Sequence, residues 1–200
     1  MICLCATIAR NEPSCEEKRA LLIFGSPHPQ GTAARLLGAL EAALPPGTHV
    51  ERFDCFAQPI LPCNDCRACR RADGCALPDL DGFYPRLERA DALVIATPVY
   101  NLSFPAPLKA LIDRMQRYWS ARFVRGVRPP ITREKQVVLL TTAGADSAEG
   151  GGLLERQLRP VLTILNGKLK AAVHYAGADA GRDAAAALEA AAEAGRRLWL

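Results

Sequence analysis

Short apolar segments alternate with segments of helical periodicity along most of the chain, and this alternation restricts the possible folds more than any other feature. RALLIFGS and DALVIATPVY are continuous apolar runs, as expected for strands that are buried on both faces of a sheet. KQVVLLTTAG has the same character, whereas HVERFDC alternates and GKLKAAVHYAG is weaker. The sequence therefore predicts five strands.

A helical segment is predicted between consecutive strands and after the last one. The first helix places Leu36, Leu37 and Leu40 on one face and is stopped by Pro45. The other four are DLDGFYPRLERA, PAPLKALIDRMQRYW, GGLLERQLRPVLTILNG and GRDAAAALEAAAEAGRRLWL. Pro160 is expected to kink or break the fourth helix of the five. Strands that alternate with helices predict an α/β domain with a parallel sheet and right-handed crossovers.

Length and composition fit a single globular domain. Two hundred residues can bury one sizeable core, and 50% of them are apolar. A net charge of +4 is too small to predict a nucleic-acid or membrane partner, and no apolar run reaches the roughly 18 residues of a membrane helix. Residues 1–17 are expected to form a poorly anchored extension of a domain at residues 18–200. Because the first residues lack a basic n-region, we expect no signal peptide and a cytoplasmic location.

Three segments that follow predicted strands would meet at the carboxyl edge of the sheet, where open parallel sheets bind ligands. GSPHPQGTA leads into a helix and carries the Ser26 and Thr32 hydroxyls, so its backbone N–H groups could bind an anion. TPVYNLS carries an aromatic and an amide side chain, and the glycine-rich TTAGADSAEGGG could approach a flat ring closely. One phosphate loop and two ring-contacting loops indicate FMN.

These segments resemble the NADPH-dependent FMN reductase family of flavodoxin-like proteins. The family pattern is Gly-Ser-Pro-Arg with Gly-Asn-Thr after it, then Thr-Pro-Val-Tyr and an Ala-Gly-Gly loop, and the resemblance runs from about Arg19 to Val173. It implies a flavodoxin-like three-layer α/β sandwich, with helices on both faces of a five-stranded parallel sheet of order 2-1-3-4-5. The chain departs from the pattern at His28, at Thr32–Ala33 and at Leu102.

The resemblance also implies where a flavin would bind and what the protein would do. The phosphate would be held by Ser26, His28, Thr32 and Ala33, the ring would be bordered by Pro98, Val99, Tyr100 and Asn101, and its other edge would be closed by Ala143 and Gly144. His28 could equally be an ordinary loop histidine. The implied activity passes electrons from NAD(P)H to a quinone, a flavin or another small-molecule acceptor, usually in a homodimer or homotetramer. Because the flavin does the chemistry, we predict no catalytic acid or base.

Four closely spaced cysteines form the segment CNDCRACRRADGC, at Cys63, Cys66, Cys69 and Cys75. In a cytosolic protein such spacing indicates metal or redox chemistry more often than disulfides. The pattern C-x2-C-x2-C-x5-C is similar to the compact motif of the iron–sulfur flavoproteins, and four thiolates at this spacing can ligate the irons of one [4Fe-4S] cluster. Gly74 would give the backbone the conformational freedom to turn Cys75 back toward the other three cysteines. A protein of that kind would take electrons from ferredoxin through the cluster.

Two other interpretations of the cysteine segment remain open. The thiols could bind no metal, or they could hold zinc in a non-enzymatic flavodoxin-like binding protein. Structural zinc sites more often use two separated Cys-x2-Cys pairs, which this segment lacks. No role is assigned to Cys55.

A basic stretch surrounds Trp119. Its members are Arg114, Arg117, Arg122, Arg125, Arg128 and Arg133. We expect Arg114 to take part in helix packing and the stretch to form a solvated face. A site for the phosphate of a nicotinamide dinucleotide, or a subunit contact, is the alternative.

Overall fold

The computed structural model describes residues 17–146 and 149–200. In that part of the chain, strands and helices alternate as the sequence predicts. The strands are β1 (Arg19–Phe24), β2 (His49–Asp54), β3 (Ala92–Pro98), β4 (Lys135–Ala143) and β5 (Gly167–Ala176). The helices are α1 (Thr32–Ala42), α2 (Ala68–Arg71), α3 (Phe83–Arg89), α4 (Ala106–Arg114), α5 (Gln116–Phe123), α6 (Glu149–Ile164) and α7 (Ala185–Arg196), with a 3-10 turn at Pro78–Leu80. The predicted N-terminal extension lies outside the described residues except for Glu17.

All five strands pair in parallel in the order β2-β1-β3-β4-β5, which confirms the predicted sheet. The central strands β1, β3 and β4 are buried along almost their whole length. That burial on both faces is the reason that their sequences are continuous apolar runs. β2 and β5 form the two edges and are more exposed, so their sequences alternate or carry charges.

Apolar side chains of the central strands point alternately into two separate layers. Leu21, Leu93 and Leu139 pack under α3, α4, α5 and α6 on one face of the sheet. Leu22 and Val94 pack under α1 and α7 on the other face. The result is the predicted three-layer sandwich. No helix in residues 17–146 and 149–200 is long and apolar enough to cross a membrane.

Two helix predictions need correction. PAPLKALIDRMQRYW is not one helix but two, because the Met115 N–H bonds to the Ile112 carbonyl in a tight 3-10-like turn between α4 and α5. Conversely, α6 continues through Pro160, so of the predicted kink or break the break does not occur. Pro160 lies on the exposed face of α6, where the Arg156 carbonyl that loses its partner can bond to water.

Candidate functional site

The loops that follow β1, β3 and β4 lie side by side at the carboxyl edge of the sheet. Pro98 is in register with Thr142, and the Val99 N–H donates to the Thr142 carbonyl at 2.8 Å. The Gly25 N–H donates to the Ala96 carbonyl at 2.8 Å, which joins the first loop to β3. The three segments that the sequence assigns to a flavin are therefore next to each other.

The first loop ends at the N-terminus of α1, which no side chain caps. Gly31 occupies the N-cap position without a side-chain hydrogen bond, so the first N–H groups of this 11-residue helix have no partner from a cap. Ser26 is buried, and its Oγ accepts a hydrogen bond from the His28 N–H at 3.2 Å. The His28 side chain is exposed, while Thr32 and Ala33 form the first turn of α1. An uncapped helix N-terminus of this kind suits an anion.

The second loop is a tight hairpin whose tip is exposed. Tyr100 and Ser103 exchange two backbone hydrogen bonds of 2.9 Å, with Asn101 and Leu102 at φ values of 50° and 57° between them. Two successive left-handed residues define a type I′ turn, in which a glycine normally follows the asparagine. A left-handed Leu102 costs about 1–2 kcal/mol, and Leu102 is one of the positions at which the chain departs from the family pattern. The Gln157 amide donates to the Leu102 carbonyl at 3.3 Å and ties the hairpin to α6.

The third loop is held by the connection between β5 and α7. The Asp179 N–H donates to the Gly144 carbonyl at 3.1 Å, and Arg182 forms an ion pair with Asp146. A Cβ atom on Gly144 would lie 2.2 Å from the Asp179 carboxylate, so a larger residue here would displace the exposed Asp179 side chain. Ala143 and Gly144 are partly exposed beside the second loop.

The cysteine segment forms a surface pocket between β2 and α3, against the helices α4 and α5. Cys63 and Cys66 are exposed, whereas Cys69 and Cys75 are partly buried. All four cysteines line the pocket, together with Arg67, Arg70, Arg114, Arg117, Gln116 and Ser120. Among residues 17–146 and 149–200, no three His, Cys, Asp or Glu side chains are placed to hold one metal ion.

Arg114 anchors the cysteine segment to α4. Its side chain is 0% exposed and forms an ion pair with Asp79, with 2.8 Å between Nη1 and Oδ1. The same guanidinium donates to the Leu61 carbonyl at 2.8 Å and to the Leu77 carbonyl at 2.7 Å. Arg114 thus joins both ends of the segment that carries the four cysteines.

Two further arginines, Arg117 and Arg125, hold the tip of the cysteine segment against α5. Arg125 donates to the Asp73 carboxylate at 2.8 Å, and Arg117 lies 3.5 Å from the same carboxylate. Burial alone would raise the pKa of Asp73, but the hydrogen bond from Arg125 and the positive charge of Arg117 hold that pKa below its usual value. The expected solvated face is therefore wrong for Arg117 and Arg125, whereas Arg114 is buried, as expected of a residue that takes part in helix packing. The sequence shows acidic residues within and just after the cysteine segment, Asp73 and Asp79, but it does not show which arginines pair with them.

Cys55 lies apart from the cysteine pocket, in the core at the end of β2. Burial raises the pKa of its thiol to about 12, so this cysteine stays protonated at neutral pH. It is a packing residue and has the apolar character of a buried thiol.

A five-stranded parallel sheet of order 2-1-3-4-5 with helices on both faces defines a flavodoxin-like protein. The family model for NADPH-dependent FMN reductase matches residues 19–182, and the chain belongs to that family of oxidoreductases.

Relatives and solved structures agree with this assignment. The chain is 37% identical over 144 residues to an iron-sulfur flavoprotein of Methanosarcina thermophila, covering 71% of this chain and 68% of the relative. It is 31% identical over 144 residues to an iron-sulfur flavoprotein of Archaeoglobus fulgidus, covering 70% of this chain and 62% of that relative. An NAD(P)H:quinone oxidoreductase from Methanothermobacter marburgensis superposes with a TM-score of 0.69 at 26% identity, covering 91% of this chain and 96% of that one.

Proposed function

We propose that the chain is an FMN-dependent oxidoreductase that uses NAD(P)H to reduce a small-molecule acceptor such as a quinone or a free flavin. The observation that carries the proposal is the convergence of three loops at one sheet edge, where the first ends in an uncapped helix N-terminus. Family membership and the similarity to a quinone oxidoreductase support the same activity. We further propose that the protein is cytoplasmic and assembles as a homodimer or homotetramer.

The first loop would bind the FMN phosphate mainly through its backbone. The N–H groups of Thr32 and Ala33 stand at the positive end of α1, where they suit a doubly charged phosphate. Ser26 holds the turn through the His28 N–H, so the loop keeps its shape before a ligand arrives. Because His28 replaces the arginine of the family pattern, the N-terminus of α1 and the hydroxyls of Ser26 and Thr32 would contribute a larger share of the binding free energy.

The second and third loops would position the ring. Tyr100 and Asn101 stand at the exposed hairpin, with Pro98 and Val99 at its base, and Ala143–Gly144 offers a backbone that can lie close to a flat ring. Bound FMN supplies the redox chemistry between NAD(P)H and the acceptor. The side chains of this chain bind and orient, and none is proposed as an acid or a base.

The electron donor can be tested with the FMN-loaded protein under anaerobic conditions. Addition of NADPH or NADH should bleach the flavin absorbance near 450 nm, and a quinone added afterwards should restore it. Dithionite provides the control, because it reduces bound flavin without any nicotinamide site. Bleaching by dithionite but by neither nicotinamide would contradict the proposed donor and favour a protein donor such as ferredoxin.

The cysteine pocket favours a second candidate, an iron–sulfur flavoprotein that receives electrons from ferredoxin through a [4Fe-4S] cluster. In a cubane each thiolate binds a different iron, so the sulfur atoms stand further apart than around one zinc ion. The four cysteines that line one pocket supply the four thiolates of such a donor set. The arginines beside them match the negative charge of four thiolates.

Anaerobic reconstitution with iron and sulfide tests this candidate. We expect about four irons per chain, the content of one cubane held by four thiolates. Cys66→Ser should lose the cluster and keep FMN, since Cys66 is exposed and lies outside the three loops. Cys55→Ala is the matched control, because it removes a thiol that is absent from the pocket lining. Binding of zinc by the four thiols, without iron uptake, would support the zinc interpretation instead.

A further inference from the structure

Two arginines of the cysteine pocket each keep a buried N–H group unpaired. Arg114 and Arg117 line the pocket, and their Nε atoms have no hydrogen-bond partner in the described part of the chain. A buried donor without a partner destabilises the fold, so proteins rarely retain one without a reason. Sulfur atoms of a group bound in the pocket could accept from these donors, and the Tyr84 hydroxyl, which is also unpaired, is a second acceptor beside Arg114.

Arg117 is held in place without using its Nε–H group. Its guanidinium carbon lies 4.2 Å from the centre of the Tyr84 ring and 5.0 Å from that of Tyr118, and only 11% of the side chain is exposed. Asp73 balances part of its charge at 3.5 Å. Stacking on two rings fixes the guanidinium plane, so its position is set before any ligand binds.

Ser120 adds a third donor that already reaches a cysteine. It is completely buried in α5, and its Oγ lies 3.3 Å from the Cys69 sulfur. A deprotonated cysteine can only accept a hydrogen bond, so the Ser120 hydroxyl would donate to Cys69 once that residue binds iron. Three residues with hydrogen-bond donors, Arg114 on α4 and Arg117 and Ser120 on α5, therefore line the pocket.

We propose that Arg117 and Ser120, with Arg114, are positioning residues that donate hydrogen bonds to the sulfur atoms of a [4Fe-4S] cluster and raise its reduction potential. The inference rests on the cluster proposed above. Reduction adds one electron and one negative charge to the cluster, and no proton or bond change is required. Donors and positive charges near the sulfurs stabilise the more negative state, which makes the cluster easier to reduce.

The test compares reconstituted variants by redox titration with dithionite, following the reduced cluster by electron paramagnetic resonance. Arg117→Gln should lower the equilibrium constant for reduction about tenfold, which corresponds to about 59 mV for a one-electron couple. Ser120→Ala should lower it about threefold, because a neutral hydrogen bond is weaker than a charged one. Arg117→Lys should recover the part of the loss that is due to charge.

Arg122→Gln is the control for loss of charge alone. Arg122 is on the same helix, but it donates to the Thr163 carbonyl and does not line the pocket. Its effect should be smaller than that of Ser120→Ala. If Arg117→Gln fails to fold, comparison of Ser120→Ala with the native protein still tests the inference.

The possible results separate the two proposals. If the native protein takes up no iron, both the cluster and its tuning are wrong. If all variants take up about four irons and reduce as the native protein does, the hydrogen-bonding role is wrong while the cluster stands. A shift in Arg122→Gln as large as that in Arg117→Gln would also overturn the inference.

Discussion

Ser26→Asp is expected to lower the affinity for FMN about a thousandfold. Two unit charges 4 Å apart near a protein surface repel by about 4 kcal/mol, and a carboxylate at this buried position would face the flavin phosphate. Titration of the apoprotein with FMN, followed by quenching of flavin fluorescence, measures the effect. The protein should still fold, because an aspartate oxygen can also accept the hydrogen bond from the His28 N–H.

Riboflavin is the control ligand for this variant, because it has the same ring and no phosphate. Its affinity should change little in Ser26→Asp, whereas a misfolded site would lose both ligands. Ser26→Ala removes the hydroxyl without adding charge and should lower FMN affinity by a few fold, the size of one neutral hydrogen bond. Equal FMN affinity in the native protein and Ser26→Asp would contradict the phosphate assignment of this loop.

Arg114→Met is expected to lower the free energy of unfolding by about 3 kcal/mol, because it leaves Asp79 without its partner in a largely buried ion pair. The carbonyls of Leu61 and Leu77 would lose their donor in the same substitution. Chemical denaturation measures the loss of stability. Trypsin under native conditions gives a local measure, since the exposed Arg70 and Arg71 should be cleaved faster once the cysteine segment is released.

Lys109→Met is the matched control, because it removes a positive charge from the same helix. Lys109 pairs with Asp113 at 2.7 Å, but both side chains are more than 40% exposed, so the loss should stay below about 1 kcal/mol. Adding Asp79→Asn to Arg114→Met should cost less than the sum of the single changes, since it removes the uncompensated charge. Equal stability of Arg114→Met and Lys109→Met would contradict the anchoring role.

Local sequence patterns were sufficient to predict the strands and their parallel pairing, whereas the order of the strands was implied by the family resemblance. A strand buried on both faces must be apolar throughout, and β1, β3 and β4 are the segments that show this. The turn between α4 and α5 was not predictable in the same way. Met115 and its neighbours are acceptable helix formers. The chain turns there because the Met115 N–H changes its hydrogen-bond partner, and no residue type in this segment predicts that change.

By itself, the sequence determined the five strands and the set of four thiols, and it predicted a loop for a phosphate. Each of these depends on residue types at short spacing, which local physics controls. Only the tertiary structure decided that Arg114, 35 positions from Asp79, clamps the cysteine segment, and that Ser120, 51 positions from Cys69, stands beside its sulfur. From the sequence alone, an arginine on a helix is expected to be exposed to solvent. Its burial requires partners that lie far away in sequence, and only the folded chain brings these partners to it.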